Sequence, residues 1–207
     1  MFGCNLSKID GTEDLIIRDE SITLPEEFSY MGNMPKVINQ GVDPICVPCS
    51  ISSFIDWRYS TMNGDTKGAG TDIWGIYDKK SVDGEGMNFK DAFRILESDG
   101  VDTKKIGNFK IKNFSKINSF MQLRQSIVVN GPALGVLPVF SNGYFKDEFW
   151  KKENGDFQGY HAISIIGYTS DGFIIRNSWG NSYGRKGYGF IKLEDFNKIK
   201  ELWAIID

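Results

Sequence analysis

The sequence predicts an α+β fold in which helices dominate the first half of the chain and antiparallel strands the second half. Apolar residues recur every three or four positions from residue 46 to about residue 60, which is the spacing of an amphipathic helix. Two apolar runs at 161–168 and 173–176 flank the turn-forming sequence 169–172, which is typical of a β-hairpin. Twenty-three glycines against six prolines indicate many tight turns.

The remaining elements are predicted from the apolar period and from the residues that interrupt it. Pro44 and Pro48 suit the start of the first helix, where a missing N–H costs little. We expect residues 102–119 to be a lysine-rich surface connection, and no pattern assigns residues 144–157. The full set comprises helices from 46 to about 60, from about 71, over 89–98 and over 120–129, and strands over 133–140, 161–168, 173–176, 188–193 and 202–206.

The composition limits the classes of protein to which the chain can belong. With 207 residues and 41% apolar content, the chain is long enough for one large domain or two small lobes around a shared cleft. A formal net charge of -3 argues against nucleic acid and anionic membranes as partners, and no uncharged run is long enough to span a bilayer. The N-terminus lacks the basic-then-apolar pattern of a signal peptide. We therefore expect a cytoplasmic or virion-associated protein rather than a classically secreted one.

His161 is the only histidine in the chain, and it opens the predicted hairpin that Asn177 closes. A hairpin can hold two polar side chains next to each other on a rigid frame, as a general base and its orienting residue require. A two-residue turn would leave Asn177 opposite Ile166, too far from His161. Pairing Gly167 with Asp171 around a three-residue loop brings the two side chains opposite each other, and we predict that register.

A base and an amide need a nucleophile, and the sequence offers one at Cys46. This cysteine follows Gln40, in an N-Q-G sequence, by six residues. Together with His161-Ala162 and the N-S-W-G sequence at 177–180, these residues resemble the papain-like cysteine protease family. The order and the spacing of the motifs are similar to those of the family, and the chain is more similar to its compact bacterial and viral members than to the plant enzymes.

The resemblance implies a two-lobe architecture, in which a helical lobe packs against an antiparallel β-barrel-like lobe with the active-site cleft between them. It covers residues 24–207 as a peptidase domain, with the helical lobe at about 40–118 and the β lobe at about 24–39 and 119–207. Residues 1–23 resemble nothing in the mature family, so we expect an N-terminal extension or a short pro-segment there. Papain-like zymogens carry a much longer inhibitory pro-domain, and we expect no latch on the cleft.

The resemblance also implies the chemistry of a thiol endopeptidase that acts on polypeptides. Cys46, at a helix start that favours thiolate, would form an ion pair with His161, and Asn177 would orient the imidazole. The side-chain amide of Gln40 and the backbone N–H of Cys46 would form the oxyanion hole. Trp179 would shield the histidine–asparagine hydrogen bond from water. The candidates for the substrate cleft are Gly84, Gly86 and Ala162.

Other interpretations of the same residues remain open. Cys46 and Cys49 form a C-x-x-C pair, which would suit a redox dithiol, or half of a zinc site completed by Cys4 and His161. A different alignment would make Cys49 the nucleophile. The chain would also fit a catalytically silent papain-fold module of a larger assembly, such as a virus particle, or a peptidoglycan endopeptidase or amidase. Among these we expect the endopeptidase, with no metal and no cofactor.

Overall fold

The computed structural model has an α+β fold and describes residues 3–11, 13–14, 19–79, 86–142, 150 and 155–207. Within these residues the helices are α1 (Cys46–Asn63), α2 (Ile73–Tyr77), α3 (Phe89–Ser98) and α4 (Phe120–Asn130). The strands are β1 (Phe28–Ser29), β2 (Val101–Thr103), β3 (Gly107–Phe109), β4 (Asn113–Lys116), β5 (Ala133–Phe140), β6 (Phe157–Tyr168), β7 (Gly172–Arg176), β8 (Tyr188–Lys192) and β9 (Glu201–Ile206). Two 3-10 helices lie at Met31–Asn33 and Leu193–Lys198.

The main sheet is antiparallel and contains seven of these strands. Its order is β4-β9-β5-β6-β7-β8, and β1 pairs with β6 outside this path. Strands β2 and β3 form a separate two-stranded hairpin. Since β4 and β8 stand at opposite ends of the strand order, the described sheet is open and does not close into a barrel. The predicted α+β fold is confirmed, with an open sheet as its β part.

The sequence of strand β5 is an unbroken apolar run because its sheet is covered on both faces. Leu134 and Val136 belong to a core cluster with buried side chains of α1 and α3. Ala133 and Leu137, which alternate with them, belong to a second cluster with side chains of α4. The sheet therefore separates two cores, and helix α1 packs on the face that carries Leu134 and Val136.

Helix α1 is buried along most of its length, and it begins at Cys46 as the apolar period predicted. The Ser164 hydroxyl of β6 donates a hydrogen bond to the Ser50 carbonyl at 3.1 Å, which ties the helix to the centre of the sheet. The helix ends at Asn63, where Gly64 adopts a left-handed conformation with φ 64°. Among the residues that the structure describes, no helix is both long and apolar enough to cross a membrane.

Helices α3 and α4 start at side chains that cap their free N–H groups. The Asn88 side chain accepts a hydrogen bond from the Asp91 N–H at 2.9 Å. Ser119 and Gln122 form a capping box, with reciprocal hydrogen bonds of 3.2 and 3.1 Å. These caps set where each helix begins, so the helices predicted over 89–98 and 120–129 are confirmed. The strands predicted over 133–140, 188–193 and 202–206 correspond to β5, β8 and β9.

The segment 102–119 is not the surface connection that its lysines predicted. It contains most of β2 and all of β3 and β4, and β4 pairs along the length of β9. The side chains of Phe109, Ile111 and Ile117 are buried. The prediction was wrong because each strand has only three or four residues, too few for an alternating pattern to stand out.

The predicted hairpin forms as β6 and β7, but the predicted register is wrong. Tyr168 lies opposite Phe173, and a bulge between Ile165 and Gly167 shifts the pairing. Gly167 therefore pairs with Ile174 and not with Asp171. Strand β1 pairs with the same end of β6 from the other side, which keeps β6 extended almost to the turn. The bulge and the pairing with this distant segment accompany the observed register, and neither can be predicted from the local sequence pattern.

Candidate functional site

Cys46 lies at the first position of α1, fully buried against β6. Its sulfur interacts with the side chains of Cys4 and His161 and with the backbone N–H of Ala162. Burial alone would raise the pKa of this thiol. The hydrogen bonds from Cys4 and His161, together with the charge of His161, outweigh burial and hold the pKa of Cys46 well below its ordinary value. The helix N-terminus acts in the same direction, so the sulfur is suited to exist as a thiolate.

His161 lies on β6 within hydrogen-bond distance of Asn177, which follows the last residue of β7. The distance between His161 Nε2 and Asn177 Oδ1 is 2.8 Å, and both side chains are buried. An amide oxygen can only accept, so Nε2 carries the proton and Nδ1 is the nitrogen available to the sulfur. The backbone N–H of Ser178 also donates to Asn177 Oδ1 at 2.7 Å, which fixes the amide in this orientation.

Trp179 covers the imidazole. The two rings stack with centroids 4.4 Å apart and planes inclined by 24°. If the pairing of Ser164 with Arg176 is continued past the end of β7, Trp179 falls opposite His161, which is where the stacking places it. The sequence predicts that the side chains of His161 and Asn177 meet on the hairpin. They meet in a different register, in which Asn177 lies diagonally across the two strands from His161 and not directly opposite it.

Gln40 lies next to the N-S-W-G segment and is buried. Its backbone N–H donates to the Ser178 carbonyl at 2.8 Å, and its side-chain oxygen accepts from the Ser178 hydroxyl at 2.5 Å. One hydrogen of its amide nitrogen is donated to the Asp43 carbonyl at 2.8 Å. The amide nitrogen carries a second hydrogen, which the contact with Asp43 does not use. Gln40 is thus held to the same segment that carries Asn177.

The three residues predicted to line a substrate cleft have different outcomes. Gly84 lies outside the described residues. Gly86 has φ 91°, and its backbone N–H donates to the Tyr77 hydroxyl at 3.2 Å. Ala162 is buried on β6 next to His161, and its N–H points to the sulfur of Cys46. Ala162 therefore borders the space next to the thiol, whereas the contacts of Gly86 do not place it there.

That space is filled by the chain's own N-terminal residues, 3–10, which we call the N-terminal strap. Cys4 pairs with Met87 in the parallel sense and with Tyr160, the residue before His161, in the antiparallel sense. The Met87 N–H donates to the Gly3 carbonyl, and the Asn5 N–H donates to the Met87 carbonyl, both at 2.9 Å. The strap corrects the expectation of no latch on the cleft, for which the sequence offers Cys4 only as a candidate zinc ligand. The sequence has no local signal for the strap, since the residues with which it pairs are distant along the chain.

Cys49, the alternative nucleophile, has unsuitable surroundings. It is buried one turn along α1 from Cys46, and burial followed by the negative charges of Cys46 and Asp43 raises the pKa of its thiol. All three cysteines are present as free thiols. Across the described ranges, no group of three or more His, Cys, Asp or Glu side chains could hold a metal ion. The zinc alternative therefore finds no site in this part of the structure.

Sequence comparison identifies cysteine proteases among the relatives of this chain. A family described as "Papain family cysteine protease" matches residues 46–201. A cathepsin B-like cysteine proteinase 2 from Haemonchus contortus is 33% identical over 75 residues, which are 34% of this chain and 22% of that protein. A probable cysteine proteinase 224L from Invertebrate iridescent virus 6 is 28% identical over 126 residues, 44% of this chain and 28% of that protein. Each match covers less than a third of the relative.

Structural comparison extends the likeness to nearly the whole chain. The cysteine protease xylellain from Xylella fastidiosa superposes with a TM-score of 0.84 at 18% identity, over 99% of this chain and 95% of that one. A cysteine protease from Carica candamarcensis in complex with E-64 superposes with a TM-score of 0.72 at 17% identity, over 89% of this chain and 99% of that one. At these identities the superpositions establish a shared fold.

Proposed function

The chain belongs to the papain family of cysteine proteases, and from this we propose that it is a thiol endopeptidase that hydrolyses polypeptides with Cys46, His161, Asn177 and Gln40. The observation that carries the proposal is the geometry around the sole histidine. One ring nitrogen is held by Asn177 at 2.8 Å, while the ring also interacts with a cysteine whose pKa is strongly lowered. A nucleophile, a base and an orienting group are thereby in contact, as covalent catalysis requires.

The first chemical step would be attack by the Cys46 thiolate on the carbonyl carbon of the peptide bond. His161 then gives a proton to the leaving amine, and the acyl group remains on the sulfur as a thioester. In the second step His161 takes a proton from water, which hydrolyses the thioester and restores the thiolate. Asn177 keeps the imidazole in the orientation in which Nδ1 serves both transfers.

The oxyanion formed in each step would be stabilised by the side-chain amide of Gln40 and the backbone N–H of Cys46. The hydrogen bonds between Gln40 and Ser178 support this role because they hold the amide before substrate arrives. Preorganised donors of this type lower the barrier by about 3 kcal/mol each. Trp179, stacked on the imidazole, would keep water from the His161–Asn177 bond and so strengthen it.

The test is covalent labelling of the reduced protein with E-64, the compound bound to the Carica protease, followed by peptide mapping. We expect one adduct per chain, on Cys46, and parallel loss of peptide cleavage. Cys49→Ala, which removes the neighbouring buried thiol, is the matched control and should be labelled like the unaltered chain. Labelling on Cys49 would contradict the proposal and favour Cys49 as the nucleophile. No labelling and no cleavage by the reduced protein would contradict it and favour a catalytically silent module.

A further inference from the structure

The N-terminal strap lies directly against the residues around Cys46. At Gly3, an added Cβ would lie 2.2 Å from the carbonyl carbon of Pro44, two residues before Cys46. At Gly86, an added Cβ would lie 2.9 Å from the Gly3 carbonyl oxygen. Side chains at Gly3 and Gly86 would therefore collide with backbone, and their absence lets the strap pass between the two segments. The strap covers the thiol, which has no exposed surface.

Cys4 is the strap residue that reaches the nucleophile. It is 4% exposed, lies in the same core cluster as Cys46, and is held by backbone pairing to Met87 on one side and Tyr160 on the other. Its thiol donates a hydrogen bond of 3.5 Å to the Asn5 carbonyl and also interacts with the side chain of Cys46. Burial, this interaction and the charges of Cys46 and Glu201 raise the pKa of Cys4. The pair is thus a protonated thiol beside a thiolate.

The rest of the strap is anchored by polar contacts that hold Cys4 in place. The Ser7 hydroxyl donates to Glu201 Oε2 at 2.8 Å, and the Ser7 N–H donates to the other oxygen of the same buried carboxylate. The Lys90 ammonium forms ion pairs with Asp10, at 3.1 Å, and with Glu13 just beyond the strap. These anchors lie on helix α3 and strand β9, both next to the site.

We propose that Cys4 and Cys46 form a reversible disulfide that fixes the strap over the site and switches the enzyme off under oxidising conditions. The inference rests on the proposed function in one respect only, namely that Cys46 is the nucleophile. A sulfur in a disulfide cannot attack a carbonyl, and the bond would also keep the strap from moving away. Reduction would restore the thiolate and leave the strap held by its non-covalent contacts alone, which substrate can displace.

The chemistry requires a small oxidant, and hydrogen peroxide suffices. The Cys46 thiolate attacks one peroxide oxygen; the O–O bond breaks, and with one proton the products are Cys46 sulfenic acid and water. The sulfur of Cys4 then attacks the sulfenic sulfur. The S–O bond breaks as the S–S bond forms, and hydroxide leaves with the Cys4 proton as a second water. The two thiols together lose two electrons, which reduce one peroxide.

The experiment is disulfide mapping of the full chain after treatment with an equimolar amount of hydrogen peroxide. Free thiols are alkylated, the protein is digested without reductant, and linked peptides are identified by mass spectrometry. We expect a peptide pair joining Cys4 to Cys46, which dithiothreitol separates. A Cys46–Cys49 link, or Cys46 sulfinic acid with Cys4 still free, would overturn the inference. The result of this disulfide mapping does not depend on any peptidase activity.

E-64 labelling provides a second measurement, which separates the disulfide proposal from the peptidase proposal. E-64 labelling of the unaltered chain should stop after peroxide treatment and return with dithiothreitol. In Cys4→Ser the strap offers no thiol to intercept the sulfenic acid, so under excess peroxide a second equivalent oxidises Cys46 to the sulfinic acid, which dithiothreitol does not reduce, and labelling does not return. Cys49→Ser, the matched control, should recover like the unaltered chain. If the reduced protein is active but labelling of Cys4→Ser returns as fully as labelling of the unaltered chain, the proposed disulfide is refuted and the proposed peptidase function stands. If the reduced protein is inactive, only the proposed peptidase function is refuted.

Discussion

The two cysteines of helix α1 lie three residues apart and have opposite surroundings. Cys46 faces β6 and the strap, where His161, Cys4 and the Ala162 N–H interact with its sulfur and lower its pKa. Cys49 is nearly as buried, but burial raises its pKa and no positive charge offsets that effect. Both thiols lie in the first turn of the same helix, so the helix N-terminus does not by itself make a thiolate. The partners supplied by distant segments decide which sulfur is reactive.

The largest expected difference between the two thiols is in peptide cleavage. Cys46→Ala removes the nucleophile and should lower kcat on the order of 10⁶-fold, as loss of a catalytic nucleophile does elsewhere. Cys49→Ala should leave kcat unchanged and destabilise the fold by about 1 kcal/mol through lost packing. Cleavage of an unstructured protein substrate, with thermal melting of both variants, checks this. Comparable loss of cleavage in the two variants would show that position 46 is not special.

The next largest effect concerns the oxyanion. Gln40→Ala should lower kcat about 10²-fold, equivalent to about 3 kcal/mol, with little change in KM. Ser178→Ala is the comparison: it removes the hydroxyl bond to the Gln40 side chain but keeps the backbone bond at 2.8 Å, so its effect on kcat should be much smaller. Steady-state kinetics on one peptide substrate separates the two. An equal loss in both variants would assign Gln40 a structural role only.

The pH dependence of alkylation tests the cause of the thiol's low pKa. In a Cys4→Ser/Cys49→Ser background, where a serine hydroxyl replaces the Cys4 thiol as a hydrogen-bond donor, the rate of reaction of Cys46 with iodoacetamide should have its midpoint below the ordinary thiol pKa of about 8.5. His161→Ala removes a hydrogen bond and a positive charge, so the midpoint should move up towards or beyond that value. A midpoint that does not move would mean that the histidine does not stabilise the thiolate.

The lowered pKa of Cys46 also makes the stability of the folded chain depend on pH. Because the pKa of Cys46 is lower in the folded than in the unfolded chain, the folded chain binds fewer protons between the two values. The stabilisation is therefore fully present above the unfolded pKa of about 8.5 and is lost as the pH falls through the lowered folded pKa. Urea denaturation of the Cys4→Ser/Cys49→Ser chain and of its His161→Ala variant, between the lowered pKa and about pH 8.5, measures the free energy of unfolding. It should depend more strongly on pH in the chain that keeps His161.

The smallest effect concerns the strap. Ser7→Ala removes the hydroxyl bond to Glu201 and should weaken the strap by about 1 kcal/mol, so that E-64 labels the reduced protein several-fold faster. Ser98→Ala, at the exposed end of α3, removes a serine hydroxyl whose hydrogen bonds stay within its own helix and should not change the labelling rate. Unchanged labelling of Ser7→Ala would mean that this anchor does not limit access to Cys46.

By itself the sequence determined the local elements and the identity of the reactive groups. Helices over 89–98 and 120–129 and a strand over 133–140 follow from the apolar period and the residues that interrupt it, because each depends on neighbours within a few positions. The spacing of Gln40 and Cys46, with His161 and the N-S-W-G sequence, identified the residues that the fold brings together. These are features that a short stretch of chain can encode.

The tertiary structure alone decided the hairpin register, the buried strands between 102 and 119, and the strap. Each depends on pairing between segments far apart in sequence: β1 with β6, β4 with β9, and Cys4 with Met87 and Tyr160. Backbone hydrogen bonds use the same groups in every residue, so they leave no mark on the amino-acid pattern. The position of Cys4 against Cys46, which separates an open site from a covered one, appears only once the chain is folded.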